Sequence, residues 1–318
     1  MPELPEVETI VRGLDKRITG DTIESVWIGS RPQVLKSPAA TIAAAIEGRK
    51  VVRVHRAGKN IVIDLAAVAR TPPSAKKRAS RSTSSSGTAG RNKSLKSLAV
   101  SRADVGVHAS QDVGLSANPS DGQWIIHLGM TGRTVVCAPS DEIAKHTHLI
   151  AKLGSGRELR FIDPRMFGKL SVYSSGFDPG GIEPLEVTED QFLALFRGRK
   201  TPIKSALLNQ KLLRGVGNIY ADESLFRAGI RPRRRASSLT REQLRRLYRA
   251  VPEVLAEAIS LGGSSVSDYV DADGEEGFFQ LQHRVYGREA EPCLVCKSPI
   301  RRIVIVGRSS HYCPNCQK

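Results

Sequence analysis

This sequence predicts an α+β fold: a first half of short antiparallel strands with flanking helices, a helical second half, and a small β-hairpin module at the end. Three observations carry the prediction. Eight short β-rich runs separated by turn residues fill the chain between 22 and 173, the pattern of an antiparallel sandwich or barrel. Apolar residues at three- and four-residue spacing take over between 188 and 261, which is helix periodicity. Two Cys-x-x-Cys pairs, Cys293 with Cys296 and Cys313 with Cys316, stand sixteen residues apart near the end, a spacing that suits a hairpin tied by a metal.

The elements follow in order. Val7, Ile10, Val11, Leu14 and Ile18 form one stripe of an amphipathic helix over 6–18, and Gly20 is its stop. The helix would hold the N-terminus against a core. Strands are expected over 22–28, 50–55 and 61–65, with a short helix over 39–46 and a hairpin turn at Gly58-Lys59-Asn60. From 70 to 121 the chain changes character: 52 residues contain no aromatic, and nine Lys/Arg stand against three Asp. Such a stretch cannot bury enough apolar area to offset its ordering entropy, so it is expected to be a disordered or loosely ordered basic insertion. Strands return over 123–128, 133–137, 148–153, 158–162 and 169–173, and Cys137 reads as a packing residue in one of them. Helices are expected over 188–196, 203–213, 218–228 and 240–261, followed by a Gly-, Ser- and Asp-rich loop over 262–277. No internal repeat is present.

Charge narrows the function. The chain carries 48 Lys+Arg against 32 Asp+Glu, a net +16, which calls for a polyanionic partner, either nucleic acid or an anionic membrane surface. The 70–121 stretch supplies +6 of this (nine minus three), so +10 remains elsewhere. No run reaches the roughly eighteen apolar residues of a membrane span, and the N-terminus lacks a signal-peptide pattern. The chain therefore reads as cytoplasmic, without a membrane partner, and its cysteines as reduced. Aromatic residues make up only 5%, which argues against single-strand binding on stacked aromatic platforms.

Four groups of residues carry chemistry. First, a small second residue favours removal of Met1, leaving Pro2 with a secondary amine. Such an amine can condense with a sugar aldehyde carbon to an iminium, and Glu3 beside it can move protons. Second, Cys293, Cys296, Cys313 and Cys316 suit a tetrahedral zinc, Zn2+, rather than free or bridged thiols in a reducing compartment. Four Cys leave no open position, so that metal is structural; it stiffens a hairpin whose tip carries Arg308. Third, Gly215-Val216-Gly217-Asn218-Ile219-Tyr220 reads as a turn with Asn218 as N-cap of the next helix. Its free amides suit a phosphate, with Lys204 adding a contact. Fourth, Met130 lies between glycines in His127-Leu128-Gly129-Met130-Thr131-Gly132-Arg133. Arg165 and Phe167 sit in Asp163-Pro164-Arg165-Met166-Phe167-Gly168. Apolar wedges and an Arg on loops can fill the hole left by a nucleotide swung out of a duplex. Taken singly, Met130, Arg165 and Phe167 are more often packing residues or exposed charges.

Together these segments resemble the formamidopyrimidine-DNA glycosylase family. The resemblance rests on the Pro2-Glu3-Leu4-Pro5-Glu6-Val7-Glu8-Thr9 start, Lys59, the His127 to Gly132 run, Asp163-Pro164-Arg165, Gly217-Asn218-Ile219-Tyr220 and the four cysteines. It implies an N-terminal antiparallel β-sandwich with flanking helices over 1–180 and a helix–two-turn–helix DNA-binding domain over 185–290. The latter would carry a lesion-covering loop over 264–277. A zinc ribbon over 291–318 would complete the chain. It further implies a bifunctional glycosylase and abasic-site lyase that removes oxidised purines from double-stranded DNA in base excision repair, acting as a monomer. In that reading Pro2 attacks the sugar C1′, Glu3 is the general acid/base, Lys59 serves β-elimination and Arg308 serves δ-elimination. Met130, Arg165 and Phe167 fill the vacated space, and His146, Arg199, Lys204 and Asn218 contact DNA. Three departures from the family pattern stand out: the 70–121 insertion, Met166 where Arg is common, and Asn60 where an aromatic is common. Two alternatives stay open, an endonuclease VIII-type enzyme for oxidised pyrimidines and a non-catalytic damaged-DNA binder. Leu4, in place of that sister branch's usual Gly, argues against the first; Pro2, Glu3 and Lys59 argue against the second.

Overall fold

The apolar stripe of the first helix is buried along its whole length. Helix α1 (Leu4–Ile18) buries Val7, Ile10, Val11, Leu14 and Ile18 and ends before Gly20, whose φ of +90° no β-branched or bulky residue adopts without strain. In this computed structural model the described residues are 1–68, 121–174, 176–265 and 277–318. The insertion expected over 70–121 lies outside them except for Asp121. The lesion-covering loop expected over 264–277 is described only at its two ends.

Eight strands form two antiparallel four-stranded sheets. One has the order β1 (Ile23–Ile28), β6 (Thr147–Leu153), β7 (Glu158–Ile162), β5 (Arg133–Cys137); the other β2 (Arg49–Ala57), β3 (Asn60–Ala67), β4 (Gly122–His127), β8 (Lys169–Tyr173). One core joins them: Leu149, Leu159 and Phe161 from the first sheet meet Val51, Ile63, Trp124 and Ile126 from the second, with α1 and α2 (Ala39–Ile46) packed in. The architecture is a sandwich, not a closed barrel. Ala57 pairs with Asn60 across the β2–β3 turn, so the connection is Gly58-Lys59 alone, with Gly58 at φ +61°. That tight reversal fixes where Lys59 projects.

The second half packs α3 (Glu189–Phe196), α4 (Ile203–Leu207), α5 (Asn218–Arg227) and α6 (Arg241–Ser260) around one core. Thr188 with Gln191, and Thr240 with Gln243, close reciprocal capping boxes at the starts of α3 and α6. The helix expected over 203–213 is shorter than its periodicity suggests and stops at Leu207. Gln210 takes the backbone instead: its amide donates to the carbonyls of Leu208 (2.9 Å) and Val216 (2.8 Å), and its Oε1 accepts the Gly215 N–H at 2.9 Å. Asn209 likewise accepts from the Lys211 N–H at 3.0 Å. Side chains of this kind compete with helix bonds and end the helix. No helix among the described residues is long and apolar enough to cross a membrane.

Leu4 ties the two halves together. It is fully buried in the core of the helical half, whereas Val7 onward lies in the sandwich core. Arg56 on β2, only 7% exposed in its side chain, reinforces the junction by pairing with Glu8 at 2.9 Å and Glu183 at 2.7 Å. At the chain end β9 (Arg301–Ile305) and β10 (Arg308–Tyr312) form the expected hairpin, turned by Val306 and Gly307. The hairpin docks on α5 through Phe226 packed against Val285, Ile300, Cys293 and Cys313.

Candidate active site and metal centre

The N-terminus is set by a carboxylate on a helix start. Glu3, 4% exposed, accepts the N–H of Ile219 at 3.1 Å and that of Tyr220 at 3.5 Å. The N-terminal amides of α5 carry partial positive charge and favour an anion there. Here the anion is the chain's own carboxylate rather than an external phosphate, which corrects the expected use of these amides. The N-cap is Gly217, and Asn218 is the first helical residue, also against expectation. The reason is space: a Cβ on Gly217 would lie 2.1 Å from Glu3 Cδ. Only glycine lets the carboxylate approach this closely. Gly215, at φ +89°, is pressed against Leu4 in the same way and its carbonyl accepts the Leu4 N–H at 3.0 Å.

A second carboxylate backs the first. Glu6 is 2% exposed and accepts the Glu3 N–H at 2.7 Å, the Ser264 N–H at 2.8 Å and the Tyr220 hydroxyl. Burial, with Glu3 nearby, pushes its pKa above the usual carboxylate range. Glu6 thereby fastens three things to one point: the N-terminal turn, α5, and the near end of the 264–277 segment.

Pro2 is buried while Met1 is 44% exposed. Burial lowers the pKa of the Met1 terminal amine below its ordinary value, and the charges of Glu3, Glu6, Lys59 and Arg165 all act on it. Lys59 is 8% exposed, and burial lowers its pKa too, partly offset by Glu3 and Glu6 and reinforced by Arg308. Lys59 and Arg165, on two turns of the sandwich, thus lie within electrostatic reach of the chain start, and Arg308 on the ribbon within reach of Lys59. Surroundings that disfavour an ammonium at the chain start also favour a neutral, nucleophilic amine on Pro2 once Met1 is removed. Beside Lys59 opens a cavity of about 420 Å³ lined by Lys36, His127, Lys169 and Arg214 with no carboxylate, so it favours anions.

Lys204 does not lie where the sequence places it. Expected on a phosphate, it is instead fully buried, paired with Asp222 Oδ1 at 2.7 Å and donating to the Ser309 carbonyl at 2.6 Å. Burial lowers its pKa, opposed by Asp222. No phosphate reaches an ammonium with 1% side-chain exposure. What Lys204 does is moor the start of β10, and with it the exposed Arg308, to the helical half. Asn218 adds a bond to the same strand, donating to Ser309 Oγ at 3.3 Å.

The two loops with wedge residues form one unit. The Asp163 carboxylate, fully buried, accepts the Thr131 hydroxyl at 2.6 Å, the Arg165 N–H at 3.2 Å and the Gly168 N–H at 2.7 Å. It joins the Met130 loop to the 163–168 loop. Met130 is 40% and Phe167 51% exposed, and the Arg165 guanidinium stacks 4.8 Å from the Phe167 ring centroid. Met166 turns inward against the sandwich core at φ +56°. His146 is exposed at φ +101°, and its carbonyl accepts the Asp163 N–H at 3.0 Å. Arg199 is exposed, with its guanidinium folded onto the Leu195 carbonyl.

Sequence reading gives no role to the side chains of Glu6, Asp163 and Asp222. A capping-box spacing from Glu3 to Glu6 is the one available signal for the first. Asp163 and Asp222 owe their roles to partners outside any local pattern, Thr131 for the first and Lys204 with the His311 amide for the second.

The metal centre is as expected. The four Sγ atoms lie within 4.8 Å of one another, with Cys293–Cys316 at 3.9 Å and Cys296–Cys313 at 3.3 Å. A tetrahedral zinc with bonds of about 2.3 Å needs sulfurs roughly 3.8 Å apart, so the donor set fits one structural zinc with no open position. Chelation is expected to release four thiols and loosen the hairpin while leaving the sandwich folded. Both tryptophans, Trp27 and Trp124, lie in the sandwich, so their emission should hold steady as thiols titrate. A shift in emission parallel to thiol release would contradict this.

Residues 1–170 match the formamidopyrimidine-DNA glycosylase N-terminal domain, 181–270 the formamidopyrimidine-DNA glycosylase H2TH domain, and 290–318 the zinc finger found in FPG and IleRS. The formamidopyrimidine-DNA glycosylases of Solibacter usitatus and Gluconobacter oxydans are 41% and 36% identical, each covering 100% of both chains. The crystal structure of MutM (Fpg) from Thermus thermophilus superposes with a TM-score of 0.74 at 36% identity, covering 99% of this chain and 98% of that one. Wild-type Lactococcus lactis Fpg bound to N7-benzyl-Fapy-dG-containing DNA gives 0.77 at 28% identity, with 100% of both chains covered. A buried Pro2-Glu3 end seated on a helix–two-turn–helix start, with a four-cysteine ribbon docked beside it, lies within the stretches these matches cover: the chain belongs to the formamidopyrimidine-DNA glycosylase family.

Proposed function

We propose that this chain excises oxidised purines, 8-oxoguanine and formamidopyrimidines, from duplex DNA and then cleaves the strand by β,δ-elimination. The observation that supports it best is the buried Pro2 end beside the buried Glu3, with the charge of Lys59 acting on that end and the charge of Arg308 acting on Lys59. Once Met1 is removed, the Pro2 nitrogen attacks C1′ of the deoxyribose. The glycosidic bond breaks, and the base leaves with its electron pair and gains a proton. Glu3 protonates the ring oxygen, the ring opens, and loss of the proton from the Pro2 nitrogen leaves the iminium. Removal of a C2′ proton then expels the 3′ phosphate, the step assigned to Lys59. Arg308 assists the following loss of the 5′ phosphate. Met130, Arg165 and Phe167 occupy the space of the extruded nucleotide, offsetting an unstacking cost of a few kcal/mol. His146 and Arg199 hold backbone phosphates. The zinc takes part in no step; it keeps the hairpin that carries Arg308.

Borohydride trapping tests this reading on duplexes carrying 8-oxoguanine or an oxidised pyrimidine. The parent chain should form a covalent adduct, faster with the purine lesion. Pro2→Gly should slow it, and Glu3→Gln should cut base release about 10²- to 10⁴-fold, the usual reach of general acid/base catalysis, while lesion binding persists. An adduct mainly with the pyrimidine, an active protein retaining Met1 by mass spectrometry, or full activity in Glu3→Gln would each refute a stated part.

A further inference from the structure

Two segments of the helical half hold a concentration of positive charge that no catalytic step uses. Residues 199–203 run alongside 234–237: Ile203 N–H donates to the Arg234 carbonyl at 2.7 Å, Ala236 N–H to Thr201 at 3.0 Å, and Ser237 N–H to Arg199 at 2.8 Å. Pro202 and Arg235 form a β-bridge. This pairing places Arg197, Arg199 and Lys200 next to Arg233, Arg234 and Arg235. All are exposed except Arg234, which is half-buried. The stretches 191–221 and 224–241 contain no Asp or Glu. Among the described residues, Arg197, Lys200, Arg233 and Arg235 have no ion-pair partner. Two cations at the start of neighbouring α6 are treated differently: Arg245 pairs with Glu189 at 2.7 Å and Arg241 with Asp190 at 3.7 Å.

Like charges held together repel and favour the unfolded chain unless a polyanion covers them. The ridge is also joined to the site already described. Lys204 N–H donates to the Pro232 carbonyl at 3.3 Å, and its side chain reaches Ser309, beside Arg308. An unneutralised basic row continuous with a DNA site has one matching surface, the phosphate backbone of the same duplex. We propose that Arg197, Lys200, Arg233 and Arg235 form a flanking docking ridge that grips phosphates beyond the lesion, independent of sequence. The inference rests on the DNA-repair reading above.

Its test is equilibrium binding of the full chain to duplexes with a stable abasic analogue, one spanning about one helical turn and one about three turns. Such duplexes cannot react, so the outcome is separate from that of borohydride trapping. On the long duplex, the double substitution Arg233→Gln/Arg235→Gln should make the negative slope of log K against log salt shallower by about 1.8, or roughly 0.9 for each lost phosphate contact. The short duplex should lose far less. Arg233→Lys/Arg235→Lys should keep the parental slope, because charge alone is needed, and this guards against a folding artefact. An unchanged slope on the long duplex, or equal losses on both lengths, would overturn the proposal.

Discussion

Replacing Gly217 by alanine is expected to cut turnover by orders of magnitude in a protein that still folds. The new Cβ would stand 2.1 Å from Glu3 Cδ and 2.4 and 2.5 Å from its two oxygens, distances that no packed structure holds. The backbone at Gly217 is at φ −126°, which any residue adopts, so the substitution acts through contact and not through strain. Relief has two routes: Glu3 swings away, or the start of α5 retreats. Either route separates the carboxylate from the Ile219 and Tyr220 amides that now orient it. The loss should match that of Glu3→Gln, about 10²- to 10⁴-fold in single-turnover base release. The thermal midpoint should move little beside it. Turnover within a few-fold of the parent would show that the seat of Glu3 is not what makes it competent.

What the sequence made legible follows from how far each signal reaches. The α1 stripe, the eight strands and the ribbon cysteines are periodic or closely spaced, and each recurs in the structure where its spacing put it. Helix α4 is overestimated from sequence because Leu207, Leu208, Leu212 and Leu213 keep a helix-like spacing, while the Gln210 side chain bonds the turn that ends it. The helix start at Gly217 reads correctly as an anion site. Its anion, however, comes from Glu3, 216 positions away from the Ile219 amide, and no local pattern announces such a partner. Lys204 is the same lesson in reverse. A lone lysine on a short helix reads as a surface charge until Asp222 and Ser309 are known to close over it. Residues that gather at a site from distant segments are visible in sequence only through family resemblance. Which of them touch each other is a matter of tertiary packing.

The buried Lys204–Asp222 pair supplies the largest expected effect on stability. Asp222 is 1% and Lys204 0% exposed, and the second Asp222 oxygen accepts the His311 N–H at 2.8 Å. Asp222→Ala strands an ammonium and an amide without their partner. Breaking such a pair from one side costs about 3–5 kcal/mol. The pH dependence has a definite sign. Burial already lowers the Lys204 pKa while Asp222 raises it, so losing Asp222 lowers it further. The unfolded chain then binds more protons than the folded one between the depressed pKa and that of ordinary lysine, and stability rises with pH across that window. The deficit of Asp222→Ala should therefore narrow as pH increases, measured by denaturant titration at several pH values. Adding Lys204→Met removes the stranded charge, so the double variant should be more stable than Asp222→Ala alone near neutral pH. It should still lack the Lys204 bond to the Ser309 carbonyl, so the δ-elimination proposed for Arg308 should slow as β10 is held less firmly. A double variant as unstable as the single one would mean that the cost lies in the His311 amide and not in the buried lysine.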